Sequence, residues 1–214
     1  MKKITEIYKD YKIILNLAMH QMRTAAVAMQ ICDSLDIKID QDSIIKACLL
    51  HDMGNIIKFN LSYKPELFEP EGLEYWKGVK YEFIQKYGND EHKASIEIAK
   101  EVGCSDKIIN LINSIEPVSI EIIAMDDDFA QKICIYSDNR VNPYGVVSAE
   151  ERSLEAKERY KNHPHSFDEE KRKFFMENLF SIEKQIFSHS SIKPEDINDK
   201  SAQKYLDKLV DFTM

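Results

Sequence analysis

The chain has 214 residues, 43% hydrophobic and 31% charged, with a formal net charge of −8. That length supports one sizeable core, and the acidic balance argues against general binding to nucleic acid or to anionic membranes. No uninterrupted apolar run is long enough to cross a bilayer, and Glu6, Lys9, Asp10 and Lys12 break up the stretch in which a signal peptide would need its apolar block, so the expected compartment is the cytoplasm.

Six Gly and six Pro are few for this length and favour long helices. Residues 4–35 contain neither and read as helix, with Ile13, Leu17, His20, Thr24, Val27 and Ile31 at helical spacing. His20 therefore lies on or beside the inward stripe. Asp40 or Asp42 caps the next helix, whose one face carries Ile44, Ala47, Cys48 and His51. Gly54-Asn55 stops it, which leaves His51 and Asp52 in its last turn. Residues 60–72 hold two prolines and no period, and read as a surface loop suited to act as a lid.

A helix over 73–87 ends at Gly88, and Asn89-Asp90 caps another that carries His92 and ends at Gly103. Ser105 caps a helix running to Ile115, ahead of Pro117. The segment DDDFAQKICIYSDNRV puts acids at a helix start and groups Cys134, Ile135 and Asp138 on one side. After the turn NPYGVV, Ser148 with Glu151 forms a capping box for a charged helix ending near His163. Ser166 with Glu169 repeats that signature for a helix to about Phe187, and one more helix follows Pro194. No alternating strand pattern is present, so the fold class is all-α. Residues 1–165 read as the first helical domain and 166–214 as a helical extension packed on it.

The four cysteines form no CxxC pair and sit beside aliphatic residues, as buried free thiols do. His163-Pro164-His165 reads as an exposed turn, and His189 has no companion. The stripe Phe174, Phe175, Leu179, Phe180, Ile182, Ile186 and Phe187 reads as core packing or the face of a homodimer.

The chemistry-bearing residues are His20, the adjacent His51-Asp52 in ACLLHDMGNIIKF, and Asp138 in YSDNR. Their order, H…HD…D, resembles the HD-domain superfamily of metal-dependent phosphohydrolases over about residues 15–160. The resemblance implies an HD-domain-like helical bundle with additional C-terminal helices, and His20, His51, Asp52 and Asp138 as ligands of one divalent metal ion. Mn, Fe, Co, Ni, Mg and Zn are not distinguished by these residue types. Two imidazoles and two carboxylates leave open positions where an ion can activate water and polarise a phosphoryl oxygen. Asp52 is implied as the central carboxylate, able to ligate the ion and hold the attacking water.

His92 resembles the additional histidine of two-metal relatives, but the next helix reads KIINLINSIEP and has no second one. One metal is therefore expected, with His92 near the phosphate as proton donor or partial second ligand. Many relatives read HD-x-G-K, whereas Asn55 follows Gly54 here and Lys58 is the nearest substitute cation. Arg23, on the helical side of His20, and Arg140, within the motif DNR, are candidates to grip a phosphate or to orient Asp52 and Asp138. The function expected is hydrolysis of a small phosphorylated metabolite, a nucleotide first among them. The alternative is a non-hydrolytic metal- and nucleotide-binding module acting as a sensor or docking unit. Oxidative chemistry at a di-iron centre is disfavoured by the incomplete second ligand set.

Overall fold

Apolar residues recurring at three- and four-residue spacing, punctuated by short polar caps, give eleven α-helices and no strand among the described residues. The computed structural model describes residues 2–62, 68–161 and 166–214. The helices are α1 (Ile4–Asp10), α2 (Leu15–Ser34), α3 (Gln41–Leu50), α4 (Leu73–Tyr87), α5 (Glu91–Glu101), α6 (Asp106–Ser114), α7 (Ile120–Met125), α8 (Phe129–Asp138), α9 (Ala149–Arg159), α10 (Glu169–Phe187) and α11 (Asp199–Leu209).

α2 is the central element. Its four successive residues Ala25, Ala26, Val27 and Ala28 are all fully buried, so the helix is covered on every side. α3, α8 and α11 pack around it, and the small alanine side chains let them approach closely. α3 also packs on α6 and α8, and α10 packs on α7 and α8. The C-terminal helices thus lean on the same bundle that holds α2.

Several caps act as their sequence indicates. Asp40 accepts from the backbone N–H of Ser43 at the start of α3, Asp90 from that of Lys93 at α5, and Ser148 from that of Glu151 at α9. Other elements differ. The expected continuous helix over 4–35 is broken between α1 and α2, where Lys12 adopts a left-handed φ of 51° and Ile13 N–H donates back to Tyr8 at 2.8 Å. The break lets α1 fold back, and Tyr8 donates its hydroxyl to the carbonyl of Leu49, near the end of α3. α10 is capped by Asp168, which accepts from Lys171 N–H, and not by Ser166. α7 follows a 3-10 turn at Pro117–Ser119, where no helix was expected.

Cys32, Cys48 and Cys134 are buried free thiols, whereas Cys104 is only half-buried. His189 does have a companion: its Nδ1 lies 3.1 Å from Asp36. Leu179, Ile182 and Ile186 of the α10 stripe are buried, and Phe174 and Phe180 remain exposed. The turn His163-Pro164-His165 and residues 63–67 of the expected loop lie outside the described residues. Among the described residues no single helix is long and apolar enough to cross a membrane. One pair, α6 with residues 117–125, passes by length and composition but is bent by 85°.

Gly54 marks the tightest approach between elements. A Cβ there would overlap the carbonyl oxygen of Glu91 and stand 2.6 Å from Ala94 Cβ, so only glycine lets the turn after α3 lie against α5. Gly54→Ala is expected to destabilise the chain by about 1–3 kcal/mol in urea unfolding, the range for overpacking a closed contact.

Candidate metal centre

Three helix segments build the site. His20 comes from the second turn of α2, His51 caps the C-terminus of α3 with Asp52 directly after it, and Asp138 ends α8. His20 Nε2 lies 2.9 Å from Asp138 Oδ1 and 3.7 Å from Asp52 Oδ2. His51 Nε2 lies 3.3 Å from Asp138 Oδ1 and 3.7 Å from Asp52 Oδ2. One donor atom each from His20, His51 and Asp52 falls within 4.8 Å of the others. Neighbouring ligands of an octahedral ion, each bound at about 2.1 Å, stand about 3 Å apart, so this spacing suits a shared cation.

His51 gives the sharper test of fit. Its side chain is buried, and Nδ1 is turned to the carbonyl of Cys48 at 2.8 Å. That contact fixes the ring and aims Nε2 at the carboxylates, as outer partners of metal-ligating histidines do. Yet Nε2 is fully buried with no properly aligned hydrogen-bond partner. A buried polar atom left in that state is costly unless something else meets it, and a divalent ion would. The donor set and its geometry therefore fit a metal.

The same charges perturb one another. Burial opposes charge on His51, but Asp52 and Asp138 outweigh it and raise the imidazole to about 10. Burial likewise works against ionised Asp138, yet the bond from His20 and the nearby His51 imidazole hold it well below the usual carboxylate range. Asp52 is lowered too, against its burial, by His51, then Lys58 and His20. Without an ion, a proton on His51 supplies the positive charge that two buried carboxylates demand.

Residues that sequence reasoning did not single out hold this arrangement. Gln21 is fully buried, and its Oε1 accepts from the backbone N–H of Asp52 at 3.2 Å, tying the turn to α2 beside His20. Ser95, also fully buried, accepts from Gly54 N–H at 2.9 Å and donates to Glu91 O, which clamps the turn to α5. Two fully buried polar side chains on otherwise apolar helix faces were the available signal.

Residues 17–118 match the family model of the HD domain. That segment of the chain is an HD domain. No curated protein and no solved structure matches the chain. The matched segment holds His20, His51, Asp52 and His92 and stops short of Asp138. The fold of the HD protein supplies that fourth side chain by packing α8 against both α2 and α3.

The remaining candidates separate in space. Lys58 is on the site's rim: its side chain is one-third exposed, and Nζ lies 3.5 Å from Glu91. Partial burial would depress its ammonium, but Asp52, Tyr160, Glu91 and Glu116 together hold it above the ordinary lysine value. His92 is clasped on both sides, Nδ1 by Glu116 at 3.0 Å and Nε2 by Asn113 at 2.9 Å. Glu116, against some desolvation, raises the His92 imidazole above its usual value.

Neither arginine reaches the ion's ligands. Arg23 points into a groove of about 340 Å³ with Met19, Met22, Asp199 and Asp207, between α2 and α11. Three residues advance an α-helix by about 300° and about 4.5 Å, so Arg23 stands about 60° round the axis from His20 and nearly one turn further along. Arg140 is buried and its donors are consumed elsewhere. Nε donates to Val147 O at 2.6 Å, Nη1 to Tyr136 Oη at 2.7 Å, and Nη2 to Pro194 O at 3.1 Å and Ile197 O at 2.9 Å. It fastens the C-terminal segment to α8 and has no fork left for a phosphate.

Three measurements check these assignments. Mn²⁺ binding at pH 8 should release at least one proton, from His51, and calorimetry in two buffers of different ionisation enthalpy reads it. The metal-free HD protein should lose the His51 contribution to stability as pH rises from about 6.5 toward about 10, since that contribution is complete only below the unfolded-state value. Arg140→Lys keeps the charge but cannot span four acceptors. It should lower the unfolding free energy by about 2–3 kcal/mol and leave metal stoichiometry unchanged.

Proposed function

We propose that the chain is a metal-dependent phosphohydrolase that uses one divalent ion to hydrolyse a small phosphorylated metabolite, with nucleotides the first class to test. The observation that carries this reading is the buried, unpartnered Nε2 of His51, converging with His20 on the carboxylates of Asp52 and Asp138. His20, His51, Asp52 and Asp138 would hold the ion. When bound, it supplies a water of lowered pKa and polarises a phosphoryl oxygen.

The chain's own groups do the rest. Asp52 follows the C-cap of α3, is less buried than His51 and is hydrogen-bonded through its backbone N–H to Gln21. Its free oxygen orients the attacking water and accepts a hydrogen bond from it. Lys58, drawn toward Asp52 from the rim, offsets negative charge gathering on the phosphoryl group. His92 is held protonated between Glu116 and Asn113 and adds a second positive group beside Lys58. Glu116 acts on both Lys58 and His92, which sets the two cationic groups at one side of the crevice.

Protein loaded with Mn²⁺, Fe²⁺, Co²⁺ or Mg²⁺ should release phosphate from members of a nucleotide panel. Asp52→Ala should abolish that turnover and preserve the helical circular dichroism spectrum. Turnover equal to wild type in that variant would refute the reading.

A further inference from the structure

α9 lies between two anchors of the metal centre. At its start, Val147 N–H donates to Arg140 O at 2.8 Å, in the turn that follows Asp138. At its end, the C-cap Tyr160 interacts with Lys58, which itself interacts with Asp52. Eleven helical residues span about 16 Å between these two contacts.

Along its more buried face run Arg152, Glu155 and Arg159, with side chains only 15%, 19% and 27% exposed. Arg152 Nη1 lies 3.3 Å from Glu155, and Arg159 reaches the same carboxylate with Nε at 2.9 Å and Nη2 at 3.1 Å. The Arg159 guanidinium also stacks 4.6 Å from the centre of the Tyr160 ring. Arg152 Nε is buried and has no hydrogen-bond partner among the described residues.

Two half-buried guanidinium groups therefore share one carboxylate, and one of them has a donor unspent. In an acidic chain this is a poor way to fill space, because apolar side chains of equal volume would serve packing better. A planar fork with spare donors is what a phosphoryl group demands. The charges of Asp52 and Tyr160 both act on Lys58, and Tyr160 stacks against Arg159, so an anion on the arginines is a different group from one over the metal ligands.

We propose that Arg152 and Arg159, steadied by Glu155, form a second anion subsite beside the metal centre, and that the substrate is a small molecule carrying two phosphoryl groups, a diphosphate or a bisphosphate. This rests on the hydrolase reading and narrows it. One phosphoryl group lies at the metal ligands and Lys58. The other displaces Glu155 from the arginine fork, with Tyr160 flanking it.

Binding of inorganic pyrophosphate to metal-free protein tests the subsite apart from catalysis. Calorimetry should show saturable binding that weakens at least about tenfold in Arg159→Gln and in Arg152→Gln, and weakens in Arg159→Lys, which keeps the charge but loses the fork. Glu155→Gln removes the competing carboxylate and should tighten binding several-fold. A purely structural Glu155 would instead lower the thermal midpoint and leave affinity unchanged or weaker. Arginine-independent binding in folded variants, no binding at all, or no gain in Glu155→Gln overturns the proposal. Arginine-dependent binding without hydrolysis by the metal-loaded protein would sink the hydrolase reading alone, and hydrolysis with arginine-independent binding would sink the subsite alone.

Discussion

Two carboxylates and two imidazoles are packed where α2, α3 and α8 meet, and positive charge at that point is obligatory. Asp138 stands 2.9 Å from His20 and 3.3 Å from His51, with Asp52 3.7 Å from both imidazoles. Separating any of the three helices would strand a charge in the interior, which costs far more than losing an exposed ion pair. A proton or a metal ion satisfies the same demand, so metal capture is an exchange of one positive charge for another and not the filling of an inert cavity. The alanine-rich middle of α2, the glycine at position 54 and the clamps from Gln21 and Ser95 serve that convergence.

The order of residues in the chain revealed much of this, because a histidine, a histidine-aspartate pair and a late aspartate on helices leave few other ways to be useful together. Helix boundaries set by Asp90 and Gly88 were equally plain, since caps and glycine stops are local chemistry. The break at Lys12 was not, because a non-glycine residue in a left-handed conformation carries no local signal and is imposed by the fold-back of α1. Arg140 misled for a related reason. Two residues beyond a ligand is near in sequence, but the chain turns after Asn139, and the guanidinium passes beneath the turn to Pro194 and Ile197.

The departure from two-metal relatives has a structural counterpart. The helix that lacks the second histidine presents Asn113, and the turn after it presents Glu116; these two engage both ring nitrogens of His92. That side of the site is a hydrogen-bonded acid–imidazole pair, and Glu116 acts on both His92 and Lys58. The α2–α3–α8 junction thus gathers negative charge, and Lys58 and His92 gather positive charge beside it.

The wide spacing of the ligands along the chain has a consequence for biosynthesis. His20 and Asp138 touch across 118 positions of sequence. A ribosome delivers α2 and α3 long before α8, so a nascent chain presents at most three of the four side chains and cannot complete the centre until synthesis has passed residue 138. A four-sided centre therefore waits for the eighth helix, while its first three side chains are in place once α3 is made.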